Sequence, residues 1–77
     1  MTMVEAVEHL GSNHTDWIMQ YAKADALRIC AARRRQHEQV GHVDDAAAYD
    51  AVSKFIEEFG VDGPQQIAIV GYQKGSE

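Results

Sequence analysis

Four histidines and one cysteine are the residues of this chain that could hold a metal ion or move a proton. His9 and His14 stand five apart, as do His37 and His42, and Cys30 precedes His37 by seven on the same side of a helical wheel. Zinc sites commonly join two ligands from one local knuckle to two from another. Here each histidine pair straddles a glycine, Gly11 or Gly41, and neither CxxC nor HxxxH occurs. The spacing predicts exposed or capping histidines and assigns no metal and no cofactor. Catalysis would need a nucleophile beside a base, paired carboxylates in a cleft, or a cofactor motif. Cys30 with His37 and Asp44 with His42 are the pairs available on paper, and neither has a signature context. With no GxxxxGK or GxGxxG present, the chain is expected to be non-catalytic.

The arginines suggest a second chemistry. Arg33, Arg34 and Arg35 are consecutive, so on a helix they fan out by about 100° each and make no single patch. Arg28 and Arg35 align instead with Trp17 and Tyr21 along one stripe of a continuous helix. Basic and aromatic residues on one face are a format for single-stranded nucleic acid. Trp17, Tyr21, Arg28, Arg33, Arg34 and Arg35 therefore form the alternative, nucleic-acid-binding face. The plainer expectation is that the aromatics pack on a neighbouring helix while the arginine heads pair with acids of the next one.

Charge is distributed unevenly. Residues 1–22 carry −3, residues 23–35 carry +4 and residues 36–62 carry −6, for a net charge of −5. An acidic total argues against nonspecific binding to a phosphate backbone. Asp44, Asp45, Asp50, Glu57, Glu58 and Asp62 make an acidic run, and such a run is ordinarily a solvated helix face. The sharper reading is a surface for a basic protein partner, including one whose DNA-binding site the acids imitate. Complementarity of that kind gives fast and selective association.

The elements that must position these residues follow from the apolar pattern. Met3, Val7 and Leu10 share a face of a helix over 2–10, stopped by Gly11. A long helix over 14–40 is expected next, with Asn13 as N-cap and Asp16 at N3. Its apolar residues cover more than one side: Ile18, Met19, Ala22, Ala26, Ile29, Cys30 and Val40 on one stripe, Trp17, Tyr21, Ala24, Leu27 and Ala31 on another. Such a helix must be covered most of the way round, by a small bundle or by a second chain. Gly41 breaks it. A third helix over 45–59 has Asp44 as N-cap, Val43 and Ala48 as a hydrophobic staple, and a clean face of Ala48, Tyr49, Val52, Phe55, Ile56 and Phe59. The second and third helices should form an antiparallel hairpin. Asp62-Gly63-Pro64 is a turn, and the β-branched residues after it predict a strand over 65–72, which needs an edge to pair with.

The fold expected is thus mainly α, a small three-helix domain with a C-terminal β-strand, α+β at the margin, and one domain over 1–77. A 77-residue chain with a lone cysteine has a small core and no internal disulfide to supplement it. The start of the chain has no basic segment leading into a long apolar run, and no stretch approaches the ~20 residues of a membrane helix. A soluble, cytoplasmic protein is the expectation.

A small, acidic, helical chain without catalytic motifs is similar in format to phage-encoded inhibitors and adaptor proteins, although no residue pattern carries that likeness. The expected function is a non-catalytic protein–protein interaction module, an inhibitor that blocks a nucleic-acid-handling protein through its acidic face. Self-association is expected through the spare apolar stripe or the last strand.

Overall fold

The computed structural model describes residues 1–61 as four helices: α1 (Met3–Leu10), α2 (Ser12–Met19), α3 (Lys23–Gln39) and α4 (Val43–Phe59). Helix makes up 82% of the described residues, and no strand occurs among them. The strand expected over 65–72 lies outside the described residues.

A reciprocal cap starts α1. The Glu5 amide donates to Thr2 Oγ1 at 3.2 Å, and the Thr2 amide donates to Glu5 Oε1 at 3.1 Å. This pairing satisfies two of the amides that a helix start leaves without partners. Gly11, Gly41 and Gly60 take φ of 92°, 81° and 76° where helices end. That left-handed region disfavours residues with a Cβ, which is why these three glycines work as stops.

The helix expected over 14–40 is two helices. Gln20 and Tyr21 donate to Trp17 and Ile18 in tight i→i−3 bonds, and Ala22 turns extended at φ −60°, ψ 152° before α3 begins. A straight helix over 14–40 would run about 40 Å and leave its two apolar stripes largely uncovered. The bend folds Thr15, Ile18 and Met19 into the core. Two expected caps also differ. Gly11 rather than Asn13 precedes α2, and His42 rather than Asp44 precedes α4, neither with a side-chain cap. Val43 is 72% exposed, so the staple with Ala48 does not form.

The central element is α4, not the segment before it. It contributes Ala48, Tyr49, Ala51, Val52, Phe55 and Ile56 to the core, against Ala26 and Cys30 of α3, Ile18 and Met19 of α2 and Ala6 of α1. The expected apolar face of the third helix is therefore correct except at Phe59, which is 46% exposed. Contacts between α3 and α4 run in opposite chain directions: Lys23 reaches Glu57, Arg34 reaches Asp50 and His37 reaches Asp45. That order makes them an antiparallel hairpin. Among the described residues no helix is long and apolar enough to cross a membrane.

Candidate functional site

The turn at Gly41 brings the last turn of α3 against the first turn of α4, and the end of α1 lies beside them. Asp45 is the hub. His9 Nε2 lies 2.5 Å from its Oδ1, while His37 Nδ1 and His42 Nδ1 lie 3.5 and 3.7 Å from its Oδ2. The two Nδ1 atoms are 3.3 Å apart. The Asp45 carboxyl is held below the ordinary carboxylate range, first by the hydrogen bond from His9; desolvation opposes this, and electrostatic interactions with His37, His9 and His42 add smaller lowering effects. His9, Gly41, His42, Val43, Asp44 and Asp45 line a shallow depression open to solvent at this point. Three of the four histidines thus converge on one carboxylate, which the spacing argument missed because it took each pair alone. The readable signal was local: His42 and Asp45 are three apart in one helix start, directly after His37 and the Gly41 turn.

His14 belongs elsewhere. Its Nε2 is 2.8 Å from the Tyr49 hydroxyl, and its ring stacks on Trp17 with centroids 5.8 Å apart. Desolvation lowers its pKa from the ordinary 6.5, assisted by the charge of Arg33. Tyr49 also stacks on His37, at 5.6 Å and 15° between planes. One buried tyrosine on α4 therefore orients a histidine on either side of it.

The arginine and aromatic residues are only partly gathered. Trp17 and Tyr21 make an edge contact at 5.1 Å, and the Arg33 guanidinium carbon sits 5.6 Å from the Trp17 ring centroid, a cation–π arrangement. The expected stripe through Arg28 and Arg35 presumed one continuous helix, and the break at 20–22 removes that shared register. Arg28 pairs with Asp25, and Arg34 pairs with Glu38 and Asp50. The Arg34–Asp50 pair ties α3 to α4. Arg35 is exposed on α3.

The acidic run is divided as well. Asp45 is engaged by histidines, and Asp50 is held low in pKa by a hydrogen bond from Lys54 and by Arg34. Asp44 is exposed beside the histidine cluster, whereas Glu57 and Glu58 are exposed 13 and 14 residues on, about 20 Å along the helix. Asp62 lies outside the described residues. Asp44 and Asp45 sit where the helix dipole favours acids, but Glu57 and Glu58 sit in the last turn, where it opposes them; α4 has no basic residue of its own in that turn, and Lys23 of α3 donates to the Glu57 carbonyl at 3.4 Å. Beside them, Met1, Met3, Phe55 and Phe59 line an apolar groove edged by Lys54 and Glu58.

Cys30 is fully buried, and burial raises its thiol pKa against smaller opposing effects of Ser53 and Arg33. It is a core residue, separate from His37 and unsuited to nucleophilic work. Comparison with known proteins gives no match to the chain among family models, curated proteins or solved structures.

Proposed function

We propose that this protein is a non-catalytic interaction module that offers the C-terminal end of α4 to a basic protein partner. The observation that supports this reading is the pairing of exposed Glu57 and Glu58 with half-exposed Phe59 in the last turn of α4. Acids there work against the helix dipole, and the Lys23 ammonium at the Glu57 carbonyl offsets this only in part, so the dipole gives no reason for them. An apolar anchor beside an acidic rim is the composition of a small recognition surface. A partner that normally handles nucleic acid would supply the complementary basic site, and occupying that site would inhibit it. Asp44, Asp45 and Asp50 are assigned to the first half of α4 and fall outside the working surface. The experiment is affinity capture from lysate after nuclease treatment, comparing the native chain with an E57K/E58K variant.

A second reading, nucleic-acid binding, is favoured by the exposed Trp17–Tyr21 pair with Arg33 above it. It predicts salt-sensitive retention of single-stranded oligonucleotide that R33E and W17A abolish and E57K/E58K strengthens. Self-association is part of the first reading, because Trp17, Tyr21, Val40 and Val43 leave apolar surface in water. Sedimentation equilibrium showing a strict monomer at high micromolar concentration would remove that part.

A further inference from the structure

We propose that His37, His42 and Asp45 form a binding site for a divalent transition-metal ion, with zinc the best fit to the donor set. The argument starts from distances that suit hydrogen bonds poorly. His37 Nδ1 to His42 Nδ1 is 3.3 Å, and the two nitrogens lie 3.5 and 3.7 Å from Asp45 Oδ2. Good N–H hydrogen bonds span about 2.7–3.2 Å, so all three separations are stretched. Ligand atoms around a tetrahedral zinc ion at about 2.0–2.1 Å stand about 3.3–3.4 Å from one another. The observed separations run from that edge length to about 0.4 Å beyond it, so an ion within reach of all three donors would sit close to their plane, and a small inward shift of the Asp45 carboxylate would bring them to tetrahedral spacing.

The surroundings support the same reading. His9 grips the other oxygen of Asp45, which fixes the carboxylate in the way that outer hydrogen bonds fix metal ligands. Tyr49 stacks on the His37 ring and holds its plane. The shallow depression over His42 and Asp45 gives an ion a path in and leaves room for a water as fourth ligand. Imidazole nitrogens with one carboxylate suit zinc, cobalt, nickel or copper better than calcium or magnesium, which prefer oxygen alone. The α3 C-terminus favours a cation there and the α4 N-terminus opposes it, so the dipoles nearly offset and the Asp44 and Asp45 charges decide. Binding requires both imidazoles to carry their proton on Nε2, leaving each Nδ1 lone pair for the ion.

The test is titration of the chelator-treated full chain with zinc chloride by isothermal calorimetry, with circular dichroism to verify the fold. Saturable uptake of one ion per chain is expected, with affinity falling by about 10-fold or more in H42A and in D45N. His42 is well exposed, so H42A removes a ligand without touching the core. H9Q should weaken binding by about 10-fold while keeping the stoichiometry, because it loosens Asp45 without removing a ligand. H14Q should bind as the native chain does. Absence of saturable uptake by the helical native chain would overturn the proposal, as would equal affinity in the native chain, H42A and D45N.

Discussion

The hydroxyl of Tyr49 on α4 and Nε2 of His14 on α2 are joined at 2.8 Å across 35 residues of sequence. This is the main polar tie between the short second helix and the central one, and it lies in a partly buried setting. With the imidazole neutral and its proton on Nδ1, the hydroxyl donates to the bare Nε2.

Removing that hydroxyl should be felt directly. Y49F keeps the ring and its stacking on His37 but leaves the His14 nitrogen without its partner. A loss of about 1 kcal/mol is expected, which in a domain of this size lowers the unfolding midpoint by about 4–8 °C. Thermal and urea denaturation check this, and unchanged stability would mean that water replaces the hydroxyl at no loss.

The same histidine gives a pH dependence of known sign. Burial first, and the Arg33 charge second, lower the folded His14 pKa below 6.5, so folding favours the neutral ring. The contribution is fully present above about pH 6.5 and is lost as pH falls through the lowered folded value. Denaturation of the metal-free chain between pH 7.5 and 5 should therefore fall more steeply for the native chain than for H14Q. Parallel curves would contradict the assignment.

The break between α2 and α3 makes a prediction that a continuous helix reverses. Ala22 has N-cap geometry, its carbonyl accepts from the Ala26 amide at 2.8 Å, and it has no side-chain cap to offer. A22D should supply that cap and stabilise the fold by about 0.5–1 kcal/mol. In the middle of an unbroken helix the same change would be destabilising, since aspartate is a poor interior residue. The direction of the shift in urea midpoint distinguishes the two.

These cases show which parts of the fold were legible. The apolar face of α4 could be read because Tyr49, Val52, Phe55 and Ile56 recur with helical spacing, and the stops at Gly11 and Gly41 because a positive φ there favours glycine. Thr2 and Glu5 form a capping box that apolar periodicity does not reveal. The break at Gln20-Tyr21-Ala22 could not be read. It contains no glycine, proline or capping side chain, and what bends the chain is burial of Ile18 and Met19 against helices distant in sequence. The histidine cluster was hidden for a related reason: His9 reaches Asp45 across 36 residues, a relationship that only the packing of α1 on α4 creates.

The central claim is that Glu57, Glu58 and Phe59 engage a basic protein. Its most direct test is parallel affinity capture with the native chain, E57K/E58K and R33E, from nuclease-treated lysate at moderate salt, with stoichiometry read by mass spectrometry. The account predicts one stoichiometric basic partner retained by the native chain and by R33E and lost by E57K/E58K. Equal capture by the native chain and E57K/E58K would contradict it, as would recovery of nucleic acid alone from the untreated lysate.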